Sequence, residues 1–312
     1  MNQQNTDTIL MVRPIGFRYN EQTATNNYYQ RELKNLTPEQ VQHKALQEFD
    51  TFVDLLRKNN IIVEVIEDTL EPSTPDSIFP NNWISFHEGG TIGLYPMYAP
   101  NRRLERREDV ISSISKKFTT TNTVDFTAFE NEAKYLEGTG SMVLDRVNRL
   151  AYAAISERMN EEVLDEFCKK MNYQKVVFHA FQSIGEKRLP IYHTNVLMCV
   201  ASNFVVICLE AIDDTDERQM VESTIKESAK SLIEITERQK AQFAGNMLEV
   251  VSTKGDKYMI MSSAAYHSLE QDQVRQIEKH CKILHSPLQT IETLGGGSAR
   301  CMMAEVFLTK KI

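Results

Sequence analysis

The stretch Gly295-Gly296-Gly297-Ser298-Ala299-Arg300-Cys301 holds the residue types best suited to chemistry. Three residues without side chains let the backbone turn sharply and crowd a ligand. The turn delivers a cysteine. Beside Arg300, and among amides freed by a tight turn, a thiolate gains stability over the free thiol, which is how a nucleophile is made. The competing reading is an inert thiol at a strand start, because free cysteine is among the most buried residue types. Upstream, His193 and Glu137 are of the kinds that would serve a nucleophilic cysteine, one as proton-transfer group and the other as orienting or electrostatic partner. Taken singly, the histidine also suits a satisfied core position and the acid a hairpin loop.

Residues this far apart need a scaffold that brings them together. Hydrophobic periodicity gives a recurring unit of two short strands, a helix and a third strand. The copies start near Trp83, Ser141, Asn195, Asn246 and Met302, at intervals of 58, 54, 51 and 56 residues. Helices are expected near Arg103–Lys117 and Asn160–Met171, from about Asp216, and near Ala265–His280. The fifth copy exists only if the ends meet, Met302–Leu308 joining Thr8–Val12, helix Pro38–Leu56 and strand Ile61–Ile66. Thr37, Pro38 and Gln40 form the signature of a capping box with proline at the first helical position. Such regularity predicts a closed ring of one domain over residues 1–312, which also removes exposed sheet edges. An ordinary three-layer α/β domain is the alternative. Asn82, Glu137, His193, Asn195, Asn246 and Cys301 all fall at or just before the start of a first strand, a register that points inward in a ring.

Composition narrows the class. Lys and Arg number 35 against 43 acids, a net charge of −8, so no global basic field invites nucleic acid, and a small molecule is the expected partner. The longest apolar runs, Val196–Ala201 and Phe204–Leu209, are far shorter than the roughly 18 residues a membrane span needs. The polar start Met1-Asn2-Gln3-Gln4-Asn5 has no signal-peptide apolar core, and five cysteines without paired spacing suit a reducing compartment; both predict a cytoplasmic protein. Oligomeric state is open, a homo-oligomer included.

Six separated motifs then agree in order with a known pattern: Phe79-Pro80-Asn81-Asn82, the run from Pro96 to Arg103, Leu136-Glu137-Gly138, Ser156-Glu157-Arg158, His193-Thr194-Asn195 and Gly295–Met302. From about residue 10 onward the chain resembles the guanidine-modifying superfamily, which includes arginine deiminase, dimethylargininase and the amidinotransferases. Within it, the closest likeness is to amidinotransferase-like citrulline-utilisation hydrolases of the CtlX type. The resemblance implies an α/β pentein fold, a fivefold pseudosymmetric propeller of ββαβ repeats, and catalysis without cofactor or metal. It implies that Cys301 attacks the central carbon of an amidino or ureido group, that His193 protonates the departing amine and then activates water, and that Glu137 grips substrate nitrogens and the imidazole. It aligns Arg102 and Arg158 with arginines that hold a substrate α-carboxylate, which suits the guanidinium fork. Arg102 also lies in a basic run with Arg103, Arg106 and Arg107 that fits a solvated helix face.

Asn82 and Asn195 depart from the deiminase pattern, in which both positions are aspartates that pair with a guanidinium. Removing one partner of a buried ion pair costs roughly 3–5 kcal/mol, whereas an asparagine offers donor and acceptor to a neutral ureido group. The expected reaction is therefore citrulline to ornithine, ammonia and carbon dioxide. Arginine deiminase-like activity, amidino transfer to an acceptor amine, and a non-catalytic pentein that binds a macromolecule are the alternatives. Elsewhere, His280, Cys281 and His285 match no zinc spacing and read as a helix-to-strand junction. His87-Glu88 reads as a solvent-facing pair in a hairpin turn, Cys199 and Cys208 as core, Asp76 as a loop acid within reach of substrate, and Ser183–Pro190 as a lid or a surface turn. Asn246 receives no role.

Overall fold

The computed structural model describes residues 3–311, and the module that contains β1, the fifth of the repeat, shows how sequence makes the unit. Strand β1 (Thr8–Arg13) is apolar along most of its length and buried on both faces, as a central strand must be. The Thr37 amide donates to Gln40 Oε1 and the Gln40 amide to Thr37 Oγ1, so the capping box opens helix α1 (Pro38–Lys58) as expected. Val41, Ala45, Phe49, Phe52, Val53 and Leu56 recur three or four apart and are all buried, against Ile9, Met11 and Val63. Burying each large apolar side chain stabilises the fold by about 1.5–3 kcal/mol. The chain returns as β2 (Ile62–Glu67), parallel to β1 with Thr8 opposite Ile62.

The same scheme repeats along the chain. Strand β3 (Ile84–His87) runs antiparallel to β4 (Thr91–Leu94); helices α2 (Pro100–Arg103) and α3 (Glu108–Lys117) lead to β5 (Asn122–Asp125), parallel to β4. A single turn, α4 (Gly138–Ser141), precedes β6 (Val143–Asp145), β7 (Leu150–Ala154), helix α5 (Glu161–Met171) and β8 (Gln174–Phe178). A separate hairpin, β9 (Phe181–Ile184) with β10 (Lys187–Pro190), comes next. The third copy is β11 (Met198–Val200), β12 (Phe204–Ile207), α6 (Thr215–Glu227) and β13 (Ser231–Glu234). Helix α7 (Glu237–Lys240) introduces β14 (Leu248–Val251), β15 (Lys257–Ser262), α8 (Ser263–Ser268), α9 (Gln271–Glu278) and β16 (Lys282–Ser286). After α10 (Gln289–Gly295), strand β17 (Ala304–Glu305) pairs antiparallel with β1.

Each of these five sheets thus has a central strand flanked by one antiparallel and one parallel neighbour. Strand β17 packs on β3, α4 on the turn before β3, β6 on β11, β11 on β14, and β15 on the turn that carries Cys301. That sequence of contacts returns to its start, which is the fivefold α/β pentein ring the repeat predicts.

Differences from expectation are local. Asn195, Asn246 and Cys301 do not open strands: Asn195 and Cys301 sit in short helical turns, 194–196 and 299–302, and Asn246 lies two residues before β14, while Asn82 precedes its strand as expected, in the turn 80–82. The helix expected over Ala265–His280 breaks between Ser268 and Gln271, where Glu270 caps a new helix. Strand β13 was not anticipated, because only Ile233 of its four residues is buried. His87 is not solvent-facing: it is buried and its Nε2 lies 2.7 Å from Ser85 Oγ. Residues 183–190 fall in the β9–β10 hairpin. Cys199 and Cys208 are core, as expected.

Candidate active site

The helical turns at the strand starts face one small cavity, lined among others by Asp76, Asn82, Arg102, Arg158, His193 and Cys301. Its free volume is about 10 Å³, room for roughly one water. Two glycines allow the walls to meet. Gly296 ends α10 with φ +62°, and a Cβ on Gly297 would stand 2.9 Å from the Phe79 ring and 3.3 Å from Cys301 Cβ. A Cβ on Gly140 in α4 would lie 2.2 Å from Asn82 Nδ2 and 2.8 Å from His193 Nδ1.

Cys301 Sγ accepts N–H donation from Asn246 Nδ2 at 3.2 Å and Asn195 Nδ2 at 3.5 Å. Asn246 is itself fixed: its Nδ2 also donates to the Asn195 carbonyl, and its Oδ1 accepts from the Arg300 amide at 3.0 Å. The Arg300 side chain, expected to supply positive charge to the thiol, is instead tied to Glu305 at 2.9 Å and to the Met303 carbonyl. Carboxamide dipoles take its place.

Glu137 is fully buried, with Oε1 accepting from the Tyr98 amide at 2.9 Å and Oε2 lying 2.8 Å from His193 Nε2. Burial pushes its carboxyl up, but Arg158 at 3.5 Å, the His193 bond and Arg102 at 3.8 Å outweigh that and hold it down at about 2. Burial likewise lowers the His193 imidazole to about 4, against the pull of Glu137. A neutral imidazole facing an ionised carboxylate must carry its proton on Nε2. That leaves Nδ1 as the base.

Asn82 Oδ1 accepts from Arg102 Nη1 at 2.9 Å, so its Nδ2 faces the other way, buried and without a partner among the described residues. Arg102 gives the rest of its fork to Glu105, at 2.9 and 2.8 Å, and is buried rather than solvated. Its neighbours Arg103 and Arg106 pair with Glu130. Arg158 donates to Asn26 Oδ1 and, at 2.8 Å, to the Thr23 carbonyl.

The seven residues singled out from sequence are therefore brought together, with both arginine forks occupied by protein groups. What sequence missed is the cover. Segment 15–36, rich in Asn and Gln and without periodicity, lies over the cavity: Asn20 and Thr23 hold Asp76 Oδ2 at 2.7 and 3.0 Å, and Asn27 and Gln30 reach the carbonyls of Leu294, Gly295 and Gly296. The β9–β10 hairpin does not line the cavity. Asp76 does, with Oδ1 unpartnered and its carboxyl pushed up by burial. Asn246 was visible in sequence only as sharing the register of Asn82 and Asn195. Among the described residues no cluster suited to a metal ion occurs, including at His280, Cys281 and His285, and no helix is long and apolar enough to cross a membrane.

A family model described as N,N dimethylarginine dimethylhydrolase, eukaryotic, matches residues 13–308. The chain is similar in structure to ArgZ, an arginine dihydrolase from the ornithine-ammonia cycle in cyanobacteria, with 19% identity and a TM-score of 0.74 over 98% of this chain and 41% of that one. It thus spans about two fifths of full-length ArgZ. The separate N-terminal domain of ArgZ, bound to product, matches with 19% identity and a TM-score of 0.73 over 96% of this chain and 98% of the domain. A dimethylarginine dimethylaminohydrolase adduct with S-methyl-L-thiocitrulline matches with 13% identity and a TM-score of 0.65, over 96% of this chain and 98% of that one. At these identities the likeness is one of fold. No curated protein sequence matches the chain.

Proposed function

The chain belongs to the N,N dimethylarginine dimethylhydrolase family, pentein-fold hydrolases of non-peptide C–N bonds, and on that premise we propose that it hydrolyses the ureido group of free citrulline to ornithine, ammonia and carbon dioxide. The observation that carries this reading is the direction of the Asn82 amide. Arg102 takes its oxygen, which leaves an unpartnered donor N–H on a residue that lines the cavity. A ureido carbonyl accepts from that donor; a guanidinium has only N–H groups to offer and would leave both unpaired. The amides on Cys301 point the same way, offering donors beside the sulfur.

In this mechanism Cys301 Sγ bonds to the ureido carbon while its proton passes to His193 Nδ1. Charge develops on the carbonyl oxygen, where a preorganised amide donor is worth about 3 kcal/mol. The imidazolium, stabilised by Glu137, returns the proton to the departing nitrogen, and the C–N bond breaks to leave a thiocarbamate on Cys301. Water then gives a proton to Nδ1 and attacks the same carbon. The S–C bond breaks, the thiol is reprotonated, and the released carbamate loses carbon dioxide. Protein groups alone supply every proton transfer. Arg158 is the residue for the α-carboxylate, Arg102 staying committed to Asn82 and Glu105, and Asp76, a lining residue with Oδ1 unpartnered, is the acceptor for the α-ammonium. Substrate admission requires segment 15–36 to lift, which frees the Arg158 fork from Asn26 and Thr23.

A second reading is arginine dihydrolysis, in which the same cysteine acts twice. The unpartnered Asp76 oxygen favours it, as a carboxylate available to a cationic substrate. Separate incubations of the pure protein with L-citrulline and L-arginine discriminate. Equal ornithine and ammonia from citrulline, with little turnover of arginine, is expected. Two ammonia per ornithine from arginine would favour the second reading, and accumulation of citrulline from arginine as the main product would overturn the ureido argument.

A further inference from the structure

A cavity of about 540 Å³ lies apart from the catalytic one and is far larger than it. It lies between Tyr29 of segment 15–36, Gln182 of β9, Lys240 of α7, Ala264 of α8, and Glu292 of α10. Two of its polar atoms are buried without a partner and a third makes no hydrogen bond among the described residues. The Lys240 ammonium belongs to a residue only 2% exposed and makes no hydrogen bond or ion pair among the described residues. Gln182 Nε2 and Tyr29 Oη are buried and equally unpartnered. The nearby acid Glu237 is taken by Arg188. Burying an amide N–H and a phenol without partners costs about 1–3 kcal/mol each, so two of them beside an ammonium without a hydrogen bond mark a place built for an occupant.

All three are donors, and together they match a carboxylate. Glu292 also lines the cavity, its Oε1 held by Ser298 Oγ at 2.6 Å and its carboxyl pushed up to about 7 by burial, so that a ligand ammonium would draw it to the ionised form. We propose that this cavity is a second ligand site, distinct from the catalytic pocket, for a free α-amino acid whose carboxylate sits on Lys240, Gln182 and Tyr29 and whose ammonium faces Glu292. The occupant would touch two segments that also wall the catalytic cavity. Tyr29 lies two residues from Asn27, which caps Gly295 and Gly296, and Glu292 is bonded to Ser298, three residues before Cys301. Binding here therefore braces the closed segment 15–36 and the turn that carries the nucleophile.

Titration calorimetry with L-leucine, which has no C–N bond for the catalytic cysteine to cleave, tests the site on the intact protein. Binding to the wild type is expected, with affinity reduced tenfold or more in Lys240→Met, as befits loss of a charge-assisted contact, and abolished in Ala264→Phe, which fills the void. Lys240→Met should also melt no lower than wild type, because it removes an unpaired buried charge. Absence of leucine binding to the wild type would overturn the proposal. So would unchanged affinity in both variants, which would move the ligand elsewhere, or acetate binding as tightly as leucine, which would leave no part for the ammonium.

Discussion

Asn82 and Asn246 show how one atom of an amide decides chemistry. Because Arg102 claims Asn82 Oδ1, Asn82→Asp puts a negative oxygen where a donor stood; kcat/KM for citrulline should fall about 100-fold while that for arginine rises, in line with roughly 3 kcal/mol for a buried donor. Steady-state assays with both substrates check this, and an unaltered preference would refute the donor argument. Asn246→Ala removes the closer N–H from Cys301 Sγ. A hydrogen bond to a charged group contributes about 1.5–3 kcal/mol, so iodoacetamide alkylation of Cys301 at pH 7 should slow about tenfold or more. Loss of packing alone would lower the melting temperature without slowing alkylation of the folded protein. His193 makes a prediction about pH. The fold lowers its pKa from 6.5 to about 4; between those values the unfolded chain takes a proton that the folded chain refuses. Its contribution is nil above pH 6.5, and stability drops as pH falls through the window, by on the order of 3 kcal/mol at pH 4. Calorimetric melting of wild type and His193→Gln should diverge there, the variant losing less. Glu137, lowered from 4.5 to about 2, keeps its contribution above pH 4.5 and loses it from the acid end of that window downward, as pH falls toward 2.

At the scale of elements, the site depends on single helical turns set before each first strand. Those turns were hard to read in sequence, because three or four residues carry no period; Asn195 and Cys301 read as strand starts when they are turn residues. Longer elements were legible for the opposite reason. Helix α1 announces itself through a capping box and six apolar residues at helical spacing. Segment 15–36 was illegible as a cover, since its Asn and Gln side chains bond to backbone carbonyls that only the folded ring brings near. The turn α4 offers a test of the element rather than of a side chain. Gly140→Ala places a methyl 2.2 Å from Asn82 Nδ2 and 2.8 Å from His193, displacing both groups while leaving the sheets untouched. Activity should drop at least ~100-fold, the cost of a displacement of about 1 Å in a catalytic group, with circular dichroism preserved. A fully active Gly140→Ala enzyme would mean that α4 does not fix their positions.

For the molecule as a whole, the fivefold interval was the strongest signal the sequence offered, and the fifth module its boldest consequence, since it joins residues almost the full chain length apart. Ile9 opposite Glu305, the Val306 amide donating to the Thr8 carbonyl at 2.9 Å, and Lys310 Nζ at 3.3 Å from Asp7 Oδ2 bring the two ends into one sheet. Sequence could not tell where the large second cavity would lie, because its walls come from four elements, β9, α7, α8 and α10, and the cover segment at once. If ring closure by β17, rather than the order of synthesis, is what the fold requires, the break in the chain can be moved. A permutant joining Lys311 to Gln3 through a flexible glycine–serine linker, with new ends opened at Gly185 on the exposed β9–β10 turn, should fold and keep its catalytic rate. Its melting temperature should drop by only a few degrees, because no sheet pairing of the five modules is cut. Deleting residues 304–311 from the natural order should instead unfold the protein, because β1 then loses a partner strand and Ala304, Val306 and Leu308 leave the core they share with Trp83, Phe86 and Ile92. A truncated chain that remained cooperative and active would show that four modules hold the ring without the fifth being complete.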